Sequence, residues 1–189
     1  MAHKFGTKPG SLRYVLRGVT AICYILDQND RACASLPFGK VTVGYGGCGP
    51  IAIHNALVSL GQPRPLPDIL AWFERRSCRT FLRGRLGILP FQLKSFLRSR
   101  GIRMKTARFP RRMDRLAREA DACILHYHFP LKKHGLWLPA AHYTEFSQTE
   151  GGYLARNTGH RDGVSHFSSP AEYGRSGNRF LPLGIFLYR

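Results

Sequence analysis

Tyr45-Gly46-Gly47-Cys48-Gly49-Pro50 is the segment of this sequence best suited to nucleophilic chemistry. A thiol attacks a carbonyl carbon efficiently only as the thiolate. Pro50 suits the first turn of a helix, where a missing N–H costs nothing. Ile53, Leu57 and Leu60 then recur at helical spacing as far as a stop at Gly61. The spacing predicts a helix over 49–60 with Cys48 at its entrance, at the end of a glycine-rich loop over 36–50. A thiol there feels the positive end of the helix dipole, which lowers its pKa. Unpaired N–H groups of the first turn can hold an oxyanion, and the flanking glycines leave room for a substrate carbonyl. The same residues also describe a small buried cysteine in a tight turn.

A thiol enzyme needs a base and a group that orients it. Among eight histidines, His142 stands near the start of a predicted strand, Ala141 to Phe146. Glu150-Gly151-Gly152 is a turn signal, and Tyr153 to Asn157 reads as the returning strand of a β-hairpin. If Glu150-Gly151 is the loop, Thr149 pairs with Gly152, Thr144 faces Asn157 and His142 faces Gly159. Asn157 is then a diagonal neighbour of His142 on the same face. His126 and His128 share a face of another strand, with His134 following. No carboxylate or cysteine stands at ligand spacing beside them, so neither a metal nor a cofactor is expected. His54 lies off the apolar stripe of its helix and reads as a surface or supporting residue. Trp72 and Trp137 read as packing groups, and Trp137 is also placed to shield His142 from water.

Gly-Cys-Gly-Pro opening a helix, Ala-His-Tyr on a strand and a hairpin ending in Asn resemble the papain-like superfamily of cysteine peptidases. The nearest resemblance is to the bacterial branch that trims double-glycine leader peptides from bacteriocins, and it covers roughly residues 40–160. It implies Cys48 as nucleophile, His142 as general base and Asn157 as orienting residue, in the papain order Cys, His, Asn. These families commonly carry a Gln six residues before the Cys as an oxyanion donor. Here that position is Thr42, and Gln28 or Asn29 is the alternative donor, folding back into the site. In such pairs the thiolate and imidazolium stabilise each other and the thiol pKa falls to about 3–4.

The elements that must position these residues follow from periodicity and from Gly and Pro punctuation. Helices are predicted over 67–76, 90–100 and 111–119, and a short strand over 102–106. Further strands are predicted at Cys123 to Phe129 and Leu181 to Tyr188. Helices first and strands second predict an α+β fold. Residues 1–12 read as a flexible leader, 13–26 as a helix or strand packed on the body, and 13–189 as a single domain. The chain has 189 residues, 43% of them hydrophobic and 21% charged, enough for one real core. Five scattered cysteines without a CxxC spacing fit a reducing compartment and argue against a zinc finger. The apolar run Gly18 to Leu26 is too short to span a bilayer, so no transmembrane segment and a cytoplasmic location are expected.

The charge is the unusual feature. Twenty-nine Lys and Arg against 11 Asp and Glu give a net charge of +18. Arg98, Arg100, Arg103, Lys105, Arg108, Arg111, Arg112, Arg115 and Arg118 face a single acid, Asp114, within one window. Such a stretch attracts nucleic acid or acidic protein, or is simply a solvated face. Two classes of function therefore stand. One is a peptidase or amidase, or a related acyltransferase, working on a peptide or protein through a Cys48 thioester. The other is a catalytically altered or inactive papain-like protein that binds acidic partners through Arg98–Arg118.

Overall fold

The computed structural model describes residues 3–5, 13–15, 23–76, 87–133, 136–159 and 164–189. Cys78, His134 and most of the expected leader lie outside them. The fold is mixed α+β, built on an antiparallel sheet. A pair of short strands, β1 (His3–Phe5) and β2 (Arg13–Val15), precedes the body. The segment 36–50 is more ordered than a loop. It holds a tight hairpin of β3 (Pro37–Phe38) and β4 (Val41–Thr42), turned by Gly39 at φ +60, and a single helical turn, α1 (Val43–Gly46). Three helices follow: α2 (Cys48–Ser59), α3 (Leu66–Arg75) and α4 (Pro90–Ser99). Then come β5 (Arg103–Ala107), α5 (Pro110–Glu119), β6 (Ala122–Lys133), β7 (Leu136–Thr149), β8 (Gly152–Arg156), β9 (Val164–Phe167), α6 (Pro170–Arg175) and β10 (Phe180–Tyr188). The strand β9 and helix α6 have no counterpart among the predicted elements, because four and six residues are too few to show a period.

The sheet runs β5-β10-β6-β7-β8-β9. Side-chain alternation divides its two faces. Ile124, Tyr143, Ile185 and Leu187 meet a core with α2, α3 and α4. Cys123, Leu125, Tyr127, Phe146 and Phe186 meet a second core with Met113 and Leu116 of α5 and Ala171 and Tyr173 of α6. Trp72 packs edge-on against Phe73 and Phe96 within the first core. Residues 23–26 pack on the body without regular structure. The Asn55 side chain accepts from the Ile25 N–H and donates to the Ile25 carbonyl, both at 2.8 Å, so it substitutes for a strand partner. His54 is buried rather than superficial. Its ring bridges the Cys23 and Arg64 carbonyls and fastens this segment to the helix pair.

The predicted hairpin register holds as far as Glu145–Arg156, and the ladder stops short of the expected Thr144–Asn157 and His142–Gly159 pairs. Thr149 pairs with Gly152 and Glu145 with Arg156. At Glu145–Arg156 an ion pair of 2.7 Å is buried. The Ser59 hydroxyl donates to the other Glu145 oxygen at 2.7 Å, and the Arg156 guanidinium lies 3.6 Å from the Tyr24 ring centre. This ties α2, β7, β8 and the N-terminal segment at one point. Among the described residues no helix is long and apolar enough to cross a membrane.

Candidate active site

The helix α2 begins at Cys48 itself. Close packing of its first turn depends on Gly49, where a Cβ would fall 2.4 Å from Ile88 Cγ1. Gly87, at φ +56, is the other wall. A Cβ there would lie 3.2 Å from the Gly46 carbonyl oxygen and 3.7 Å from the Cys48 sulfur. Cys48 is only 5% exposed, and a cleft of about 190 Å³ reaches it, lined by Gln28, Tyr45, Gly87, Phe129, Leu138 and His142 among others. The structure therefore brings Cys48, His142 and Gln28 to one cavity.

His142 is held by the residue that sequence patterning singles out, but through a different atom. The ladder ends at Glu145–Arg156, and Asn157 turns away with φ 58. Its main-chain carbonyl comes to 2.5 Å from His142 Nε2. A carbonyl only accepts, so Nε2 carries the proton and the Nδ1 lone pair is the basic position. The Asn157 side chain faces elsewhere: Oδ1 accepts from the Gln28 N–H at 3.0 Å, while Asn157 N–H donates to the Leu26 carbonyl at 3.0 Å. Asn157 Nδ2 is buried without a hydrogen-bond partner.

The three oxyanion candidates separate, and Asn29 is exposed, hydrogen-bonded to Asp27 and absent from the cleft lining. Thr42 is exposed and precedes the α1 turn, away from the cleft lining. Gln28 lines the cleft. Its Nε2 donates to the Gly44 carbonyl at 2.9 Å, which leaves a second N–H on the same nitrogen for a ligand. Its Oε1 is buried and unpartnered. Trp137 is 63% exposed and does not line the cleft, although the adjacent Leu138 does.

Electrostatics favour neutral side chains in the cleft. Burial pushes the Cys48 thiol up to about 11, against the pull of main-chain N–H groups of Tyr143, Gly49 and Cys48. Burial also pushes His142 below its ordinary value, opposed by the Asn157 carbonyl and assisted by the positive Arg179. The expected low-pKa thiolate is thus disfavoured at rest: the helix end is too deeply desolvated for its dipole to prevail. Both the thiol and the imidazole that line this cleft are thus favoured in their uncharged forms.

A second concavity of about 560 Å³ is lined by His142 together with Tyr127, Phe129, Thr158, Gly159 and Arg179 among others. His142 and Phe129 belong to both cavities. The hydroxyls of Tyr127 and Tyr173 are hydrogen-bonded at 3.0 Å, and the Arg179 guanidinium stacks over Tyr173 at 3.9 Å. The periodicity of the sequence carried no signal for Gln28, Gly87 or Arg179, because all three arrive from irregular segments.

His126 and His128 form an edge-on pair, ring centres 4.9 Å apart, and His126 leans on Tyr143 at 4.6 Å. Among the described residues no group of three His, Cys, Asp or Glu side chains is arranged to hold a metal. Burial, then the charges of His128, His142 and Arg108, push His126 down to about 3. The unfolded chain protonates this histidine near 6.5 while the folded chain does not, so it binds more protons in that window. Stability is complete above pH 6.5 and falls as pH drops toward 3, by about 1.4 kcal/mol per pH unit at most from this residue. Urea melts between pH 7.5 and 4.5 should show that loss, and His126→Phe should flatten it; an unchanged slope in the variant would remove His126 as its source.

No family model matches this chain, and a search of curated proteins finds no match.

Proposed function

We propose that the chain is a papain-like cysteine peptidase or amidase acting on an extended peptide through a thioester on Cys48. The supporting observation is the meeting, in one cleft, of a buried thiol at a helix N-terminus and an imidazole whose Nε2 is fixed by a main-chain carbonyl. His142 Nδ1 takes the thiol proton as the sulfur bonds to the substrate carbonyl carbon. The N–H groups at the start of α2 and the second N–H of Gln28 are the donors available to the resulting oxyanion. Collapse breaks the C–N bond, and the imidazolium returns its proton to the leaving amine. Water then hydrolyses the thioester by the reverse use of the same base, and an amine acceptor in its stead would make the reaction an acyl transfer. A peptide suits the cleft because β7 runs on through Leu136–Ala141 beyond its last β8 pair, so its edge offers main-chain partners beside the thiol. Purified protein should cleave members of a peptide library, and Cys48→Ala should lower that rate by about 10³-fold or more while keeping the fold. Turnover retained by the variant would remove the role from Cys48.

A second reading, anion docking, rests on a separate observation. All nine basic residues of the 98–118 window are exposed. Arg111, Arg115 and Arg118 form a stripe along α5 opposite its buried Met113 and Ala117. The first turn of α5 holds no acid, so Arg111 and Arg112 stand against the helix dipole, an arrangement with no stabilising purpose. Binding to nucleic acid or an acidic protein should fall steeply with salt and vanish in Arg111→Glu/Arg115→Glu/Arg118→Glu. Binding that survives both that variant and about 0.5 M salt, where screening acts within roughly 4 Å, would exclude this face.

A further inference from the structure

We infer that Arg179 is a specificity residue that receives a carboxylate on the leaving-group side of the scissile bond, either the C-terminus of a short leaving segment or an acidic side chain within it. The inference rests on the peptidase reading for its direction along the cleft. The acyl part of a substrate is bonded to the Cys48 sulfur, and the leaving amine must sit where His142 can protonate it. Of the two cavities that share His142 and Phe129, one contains Cys48 and the other does not. The second therefore takes the leaving segment, and among the described residues its charged lining residue is Arg179.

The guanidinium there is built in place. Its NH1 donates to the Ser176 carbonyl at 2.8 Å and to the Ser176 hydroxyl at 2.7 Å, with a longer bond to the Tyr173 carbonyl at 3.5 Å. Its plane stacks on Tyr173 and lies 5.2 Å from the Tyr127 ring centre. All these partners are neutral. The ion pairs among the described residues are Lys105–Glu119, Glu145–Arg156 and Asp121–Arg189, and Arg179 is in none of them. A partly buried guanidinium with no carboxylate beside it among the described residues, oriented by these neutral partners, retains donor capacity for an acceptor in the cavity. A carboxylate is the acceptor its fork fits best.

Binding to the Cys48→Ala protein tests this without requiring turnover. The probes are the dipeptide Gly-Phe and its C-terminal amide, titrated at pH 7.5 in about 0.15 M salt, where the net charge acts weakly beyond roughly 8 Å. Chemical shifts of the Gly159 and Gly177 amides serve as the readout. Gly-Phe should bind at least tenfold more tightly than the amide. Arg179→Gln should erase that preference, and Arg179→Lys should keep only part of it. Equal affinity of the two probes, no binding of either, or a preference intact in a folded Arg179→Gln protein would each overturn the assignment. Should Arg179→Gln fail to fold, the comparison of the two probes on the Cys48→Ala protein decides alone. Carboxylate binding without peptide cleavage would leave Arg179 as an anion site and refute only the peptidase reading.

Discussion

Iodoacetamide is expected to alkylate Cys48 slowly at pH 7 and ever faster above pH 8, because burial pushes its thiol up to about 11. At that value only about one thiol in 10⁴ is ionised at pH 7, so the proposed catalysis, if it runs near neutrality, requires proton transfer to be part of the attack. The tautomer of His142 suits that role: Nε2 is tied to the Asn157 carbonyl, which leaves Nδ1 as the basic nitrogen. His142→Ala should therefore cut turnover at pH 7 by roughly 10²–10⁴-fold, the usual worth of a positioned base. The same variant should leave the alkylation rate in strong alkali nearly unchanged, since the thiolate formed there needs no base. A standing thiolate–imidazolium pair makes the opposite forecast, rapid alkylation well below pH 7 that is lost with His142. A wild-type thiol titrating below 7 would refute the neutral thiol and imidazole.

The second large effect concerns Glu145 and Arg156. Both are buried, 2.7 Å apart, with Ser59 and Ser147 completing their hydrogen bonds. Removing one charge strands the other in the core. Glu145→Ala and Arg156→Met alone should each cost about 3–5 kcal/mol in urea denaturation. Glu145→Leu/Arg156→Met should recover most of that loss, because paired charges in a core offer little net stabilisation over apolar side chains of similar size. Single variants that cost less than about 1 kcal/mol would show that the pair is not desolvated as the packing implies. Glu145–Arg156 is also the last ladder pair before Asn157, so the single variants should loosen His142 as well.

The parts of this molecule written in periodic patterns were legible before any coordinates. The helix after Gly-Cys-Gly-Pro, the basic helix and the hairpin register all follow from spacing that repeats over several residues. Other parts depend on one residue's departure from a pattern. Nothing in Ala155-Arg156-Asn157 announces that Asn157 leaves the ladder with φ 58 and presents its carbonyl to His142. Gln28 could be weighed against Thr42 only as a possibility. Its arrival at the cleft depends on Asn157, a contact across 129 positions of chain. The ionisation of Cys48 escaped for another reason: the dipole of a helix start is visible in sequence, but the depth of burial that opposes it belongs to the tertiary structure.

Asn157 also sets an order of events. Its N–H, its side-chain oxygen and its carbonyl bond to Leu26, Gln28 and His142 respectively. The imidazole is thus held by a residue that is itself held by a segment near the other end of the described chain. A folding intermediate with α2 and the β7–β8 hairpin complete, but with 26–28 undocked, would carry both the thiol and the imidazole without a fixed tautomer between them. On the peptidase reading, competence would then wait for this distant contact, and a half-made molecule would be chemically silent toward its neighbours. The interval between formation of the hairpin and onset of thiol turnover during refolding is the time this closure takes.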